Sequence, residues 1–408
     1  MDTYRVKDSV RCTLFDGLDH DDSYILFDGK RHWQVSYILY FVVNELSAEK
    51  NLEELQAAAC NDPALQERIP EGTMQQVLEF LENNGLLEGS KPVKQSPPVQ
   101  TMWLKIRLMS GETLKKLKIL TFFYNRYLFP ICSVAGVVWL VYILLHYEIR
   151  ELARSLLKLP AEQLIVVWIC LGVITAFHEF GHISALIRGG GTPGGMGFGL
   201  YYIMPVAWSD VTEAWSLPRR ERLTVDYGGI YFQLIAASLI YILNELTLNS
   251  ESVRIAAIVS TTTLATNLSP VLKFDGYWIA CDGFGITDPM REAQRLLRPA
   301  DGDQSGMRQN QKVIFVIFLL ISSFVLVYYY LLMLRMSLAA VQMLFSDIRY
   351  FAVNSAQIMT ALSWKQFFWF LRERTANIIV IMFLLRLVLG TAKKLIVKKA
   401  GDGDHHIS

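Results

Sequence analysis

The chain has 408 residues, of which 52% are hydrophobic and only 19% charged, enough for two or three soluble domains or for a helical membrane bundle with a small soluble attachment. A formal net charge of +1 argues for neither a nucleic-acid partner nor an acidic one. The cysteines Cys12, Cys60, Cys132, Cys170 and Cys281 are odd in number and form no CxxC pair, which indicates packed, reduced thiols and neither a disulfide framework nor a cysteine zinc site.

In chain order, the opening MDTYRVKDSVRC lacks the apolar core of a signal peptide, so the amino-terminal region is expected in the cytosol. In SYILFDGKRHWQV, residues 23–35, apolar residues flank Asp28-Gly29, a dipeptide suited to a tight turn, and a β-hairpin is predicted. Helices are expected over 37–46, after Asn51 with Glu54 three residues on, and after Thr73 with Gln76; Gly85 closes the last in FLENNGLL. The pattern gives a small α+β, winged-helix-like domain over residues 1–88. Its order and spacing resemble the PqqD-like domains that recognise leader peptides of ribosomally made, modified peptides. The resemblance covers residues 5–88 and implies a leader peptide as partner; a generic winged helix without a peptide ligand fits the same pattern. A bound peptide could join the exposed hairpin edge as an extra strand. No clustered basic recognition helix is present, so nucleic acid is not expected as a partner.

Residues 89–100, GSKPVKQSPPVQ, read as a semi-rigid linker, and MWLKIRLMSGETLKKLKIL after it, within the stretch to residue 125, as a segment at the membrane surface. Nearly uncharged runs follow at 127–147, 163–187, 229–246, 253–280, 313–334 and 376–392. Most reach the roughly 20 residues needed to cross a bilayer, so residues 126–397 are expected to form an all-α polytopic membrane bundle of about six spans. Lys105, Arg107, Lys115, Lys116, Lys118 and Arg126 precede the first run, and Lys393, Lys394, Lys398 and Lys399 follow the last. By the positive-inside rule both termini then face the cytoplasm, in a multi-pass membrane protein. Arg219, Arg220 and Arg222, and Arg291, Arg295 and Arg298, fit cytoplasmic loops of that scheme, whereas Lys365, Arg372 and Arg374 fall on its outer side. An interfacial helix or a re-entrant piece is therefore expected within 336–375. Residues 398–408 form a polar tail.

In AFHEFGHISAL, His178 and His182 are four apart, so on a helix both imidazoles share one face and can hold one zinc ion, with Glu179 beside it. An HExxH match on a soluble helix can be a surface pattern, but this one lies in an apolar run beginning at Gln163, where ionisable residues are costly. A catalytic zinc takes three protein ligands and keeps a position for water, so a further ligand is needed. His20, His32, His146, His405 and His406 are poorly placed. Among the carboxylates Asp275, in NLSPVLKFDGYW, is the best placed; Asp210, Glu213, Asp226 and Asp282 are alternatives with a plainer reading as loop or interfacial charges.

HEFGH in one span, with an Asp-Gly near the end of a later one, resembles the site-2 protease family of intramembrane zinc metalloproteases. LYYIMPVAWSDVTEAWSLPRRERLTVDYGGIY and NLSPVLKFDGYW resemble its bacterial peptide zinc metalloprotease branch, over roughly residues 170–285. The resemblance implies His178, His182 and Asp275 as ligands of Zn2+, Glu179 as general base and Asn267 as a residue that helps position the substrate strand. Where the branch has Asn-Leu-Asn-Pro, Ser269 stands before Pro270. The expected activity is that of an intramembrane zinc endopeptidase acting on a peptide precursor or a membrane-anchored substrate, with maturation of a ribosomally made peptide as the preferred setting. The rivals are cleavage of a membrane-bound regulator and a non-proteolytic, peptide-binding accessory of an exporter. The glycine-rich RGGGTPGGMGFGLYYIMPVAW after the metal helix could form a re-entrant hairpin whose edge holds substrate extended, or a flexible loop. No strand-loop-helix context supports a phosphate site there.

Overall fold

A computed structural model describes residues 3–14, 24–28, 31–65, 70, 72–90, 102–201, 204–271, 273–286, 288–297, 307–353 and 382. The amino-terminal elements are β1 (Thr3–Tyr4), β2 (Arg11–Leu14), β3 (Tyr24–Phe27), β4 (His32–Val35), α1 (Tyr37–Glu45), β5 (Lys50–Asn51), α2 (Leu52–Cys60) and α3 (Thr73–Asn83). The hairpin expected over 23–35 is present as β3 and β4, with Phe27 opposite His32. Its connection is held by Asp28, whose backbone N–H donates to Arg31 O (3.1 Å) and whose carboxylate accepts from Arg31 N (2.6 Å) and Nε (2.8 Å). β2 adds a third antiparallel strand, making the order β2-β3-β4.

The helices follow the capping chemistry in part. At α2 the Asn51 and Glu54 side chains each accept the other's backbone N–H at 2.9 Å, as the capping-box spacing predicts. At α3 the expectation fails: Gly72, at φ +85°, precedes the helix, and the Thr73 hydroxyl donates back to Pro70 O (2.8 Å) instead of capping. Gly85 turns the chain at φ +70°, a left-handed conformation that favours glycine. Leu26, Val42, Leu46, Leu55, Leu81 and Leu86 are among the residues that build a core of this unit's own. Alternation along β3 sends Tyr24 and Leu26 into that core and Ile25 and Phe27 to the opposite face. Yet Ile25 and Phe27 are only 4% and 7% exposed, and β3 comes up against a 3-10 turn, Thr212–Ser216, from the second half of the chain.

The second half contains β6 (Met102–Ser110), α4 (Gly111–Lys115), a 3-10 segment (Lys116–Tyr124), α5 (Leu128–His146), α6 (Ile149–Lys158), α7 (Ala161–Arg188), β7 (Gly195–Tyr201), β8 (Met204–Asp210), the 3-10 turn, α8 (Arg219–Leu246), α9 (Glu251–Asn267), α10 (Asp275–Phe284), α11 (Pro289–Leu297) and α12 (Gln309–Val353). Among the described residues four helices are long and apolar enough to cross a membrane: α5, α7, α8 and the stretch Gln309–Leu331 of α12.

Several expectations change. The run 253–280 is not one helix: α9 stops after 17 residues at Asn267, and α10 begins afresh at Asp275. Pro270 lacks the N–H a continuing helix needs, so the apolar run is interrupted without becoming polar. Arg219, Arg220 and Arg222 lie in the first turns of α8 and not in a loop. Residues 336–353 continue α12 without a break; 354–375 lie outside the described residues, as does the predicted span 376–392 except for Met382. Residues 102–110 form a strand, because LKIRL alternates with period two. That strand pairs with β7, giving a three-stranded antiparallel sheet of order β6-β7-β8 and turning the glycine-rich segment into the hairpin β7–β8. All five cysteines are free, and Cys60 is exposed instead of packed. Burial pushes the Cys12 thiol up to about 12, so little thiolate forms there.

Candidate metal centre

The site is assembled where two helix backbones nearly touch. A Cβ on Gly181 of α7 would fall 2.1 Å from Gly228 O of α8, and one on Gly228 would fall 2.7 Å from Gly181 O. Only glycine allows that crossing distance, as in close helix pairs generally. Tyr124 braces the crossing by donating its hydroxyl to Gly181 O (2.7 Å). Three residues before Gly181 and immediately after it, α7 carries His178 and His182, 7% and 8% exposed, facing α8.

Three side chains converge there. His178 Nε2 and His182 Nε2 are 3.1 Å apart; Asp275 Oδ2 lies 3.1 Å from the first and Oδ1 3.5 Å from the second. Zinc ligands at about 2.0–2.1 Å in tetrahedral array stand about 3.3 Å from one another, so this spacing suits one such ion. Among the described residues this trio is the His/Cys/Asp/Glu group that could hold a metal. Two further observations fit. Asp275 Oδ2 is buried without a hydrogen-bond partner, a costly arrangement unless a cation meets it. Gly229 faces the imidazoles: a Cβ there would lie 2.3 Å from His182 Nε2 and 2.6 Å from His178 Nε2.

The remaining ring nitrogens fix the imidazoles. His178 Nδ1 contacts Gln233 Oε1 (2.9 Å), and Gln233 Nε2 donates to Ser260 O (2.8 Å) and Oγ (3.1 Å). Because the Gln233 amide nitrogen is committed to Ser260, its oxygen faces the histidine, and Nδ1 is the protonated nitrogen. His182 Nδ1 likewise donates to Val225 O (2.7 Å). Both Nε2 lone pairs are thereby turned toward Asp275, the tautomer that metal-ligating histidines adopt. Glu179, half-buried on the same turn of α7, accepts a hydrogen bond from Ser209 Oγ of β8.

Asp275 is the first residue of α10. Gly276 lets that helix start against the end of α9, since a Cβ there would fall 2.2 Å from the Leu268 carbonyl carbon. Ser269, fully buried, accepts from Val271 N (3.3 Å) and shapes the connecting turn. Asn267 closes α9. Three of the other carboxylates are occupied elsewhere, while Asp226 Oδ2 is buried without a hydrogen-bond partner. Asp210 accepts from Thr212 N (3.2 Å) and Oγ1 (2.7 Å), Glu213 from Thr192 N (2.8 Å), and Asp282 from Arg222 (2.7 and 2.9 Å). Asp226 lies beside Asp282. Beyond the trio, β8 is an edge strand packed along α7, with β6 on the far side of β7. The glycines of β7 permit the pairing: a Cβ on Gly197 would fall 1.9 Å from Ile106 O.

Gln233, Ser260, Val225, Gly229 and Ser209 did not emerge from the sequence. Gln233 left a trace as an amide in an apolar run, four residues past Gly229; the Val225 carbonyl left none.

No family model and no solved structure matches the chain. Over 117 residues, 28% of its length, the chain is 30% identical to a Bacillus subtilis (strain 168) protein named "Putative peptide zinc metalloprotease protein YydH". The match spans 46% of that protein, so the chain aligns with under half of its relative's length. The likeness is thus to a protein named as a zinc metalloprotease.

Proposed function

We propose that the chain is an intramembrane zinc endopeptidase of site-2 protease type. The carrying observation is the convergence of His178, His182 and Asp275 at metal-ligand spacing with Glu179 on the adjacent turn. A zinc ion held by the three would polarise a scissile carbonyl and lower the pKa of a water from about 15.7 toward 7. Glu179 is placed to act as the general base that would take a proton from a water at the site and pass it to a leaving amine. Ser209 orients the carboxylate, and Gln233 and Val225 keep both histidines in the liganding tautomer. The unpaired side of β8 offers main-chain groups to an extended substrate, and Asn267 helps position that strand.

The substrate is a peptide precursor or a membrane-anchored protein, reached from a lipid bilayer that α5, α7, α8 and α12 cross. The amino-terminal unit, with its own core and a three-stranded sheet whose outer strands are unpaired on one side among the described residues, suits recognition of a leader peptide, which favours peptide maturation over cleavage of a membrane regulator. The test is to purify the full chain, measure zinc by mass spectrometry, and map the products of a candidate precursor. About one zinc per chain with one defined cleavage is expected. Zinc without cleavage across precursor and membrane-anchored substrates would favour the exporter-accessory role, and absence of zinc would sink the reading altogether.

A further inference from the structure

Asp275 opens a ten-residue helix that is not continuous with α9, so its place at the metal depends on what holds α10. One end is set by Gly276 against Leu268. The other is held by α8. Arg222 donates from Nε (2.9 Å) and Nη2 (2.7 Å) to Asp282 Oδ1, with the two side chains only 5% and 10% exposed. Arg222 Nη1 also donates to Leu217 O (3.1 Å), and Arg219 donates to the carbonyls of Asp282 and Gly283. Arg222, Val225, Gly229 and Gln233 recur at helical spacing along α8. The same helix therefore fixes both histidines, clears the space beside them and grips the helix that carries the third ligand.

We infer that Arg222 and Asp282 are positioning residues for Asp275: the buried ion pair sets the axial placement of α10, and through it the position of the carboxylate opposite the histidines. A buried pair of this kind contributes little net stability against apolar replacements of similar volume, so the role it fills here is positional. The inference rests on the zinc-site reading and concerns how that site is aligned.

The experiment measures zinc affinity by chelator competition on the purified full chain. Replacing both partners with apolar residues, Arg222→Met with Asp282→Leu, also takes the donor from Leu217 O and the neighbour from Asp226, so the metal-free thermal midpoint is measured beside it; zinc binding should weaken about 10- to 100-fold. Asp282→Asn, nearly isosteric, should weaken it in the same direction. In an Asp275→Ala background the paired replacement should change affinity by no more than about twofold, because the ligand it positions is gone. Wild-type affinity in the paired replacement overturns the inference, and so does an equal loss in both backgrounds, which is what a general packing role gives. If the wild type binds no zinc, the site reading fails and this inference falls with it.

Discussion

A methyl group on residue 229 would stand 2.3 Å from His182 Nε2, inside any non-bonded contact distance. Helix propensity alone favours alanine over glycine by about 1 kcal/mol, so Gly229→Ala sets local preference against the site. The expected outcome is a well-folded protein with zinc content well below that of the wild type, checked by metal analysis and circular dichroism on one preparation. Glu179→Gln should do the reverse: it spares the three ligands and removes the base, so full zinc with no cleavage is expected. Wild-type turnover by that variant would refute the assigned role. Gln233→Leu leaves the His178 Nδ1–H donor buried without a partner, which costs about 1–3 kcal/mol, and should weaken zinc binding about 10- to 100-fold in the same titration. The sequence exposed the proposed ligands far better than their supports. His178 and His182 are legible because a four-residue spacing on a helix is a geometric statement. Gln233 and Val225 act across 55 and 43 residues, and a backbone carbonyl has no letter in the sequence.

Among the elements, β6 and the α9–α10 break are where pattern and structure diverged most. The alternation Leu104, Lys105, Ile106, Arg107, Leu108 was visible, yet a mixed apolar and basic segment before a span fits an interfacial helix equally well. What decides it is pairing with β7, a tertiary event that glycine at 197 makes possible. In 253–280 the hydrophobicity is continuous and hides the interruption; Pro270 and Gly276 were the marks of it. The break gives Asp275 the first position of a helix instead of placing it mid-helix. Asp275→Ala should therefore lower zinc occupancy while α9 and α10 persist. Asp210→Ala, which removes only the acceptor for Thr212, should leave occupancy unchanged. Metal analysis of the two variants side by side checks this, and full zinc in Asp275→Ala would move the third ligand elsewhere.

For the molecule as a whole, the amino-terminal unit contributes no ligand to the metal trio, although its β3 meets the 3-10 turn that follows β8. Deleting residues 1–88 should keep zinc bound yet slow cleavage of the native substrate at limiting concentration, because the local concentration supplied by a second binding site is lost. Full-rate cleavage by the truncated chain at low substrate would remove recognition from that unit's role. The hydrophobic runs anticipated helices long and apolar enough to cross a membrane, of which four are present among the described residues; what they could not give was how many of those runs are unbroken helices. The trio also joins parts of the chain far apart in sequence, since 92 residues separate His182 from Asp275. An ion held between them would bind the folded chain, where the three groups meet, and not the unfolded one, where they are scattered. Such a protein would lose its clasp as well as its chemistry to a chelator: with zinc at 100 times its dissociation constant, about 2.7 kcal/mol of stability would vanish on stripping, and α10 would be the first helix to drift.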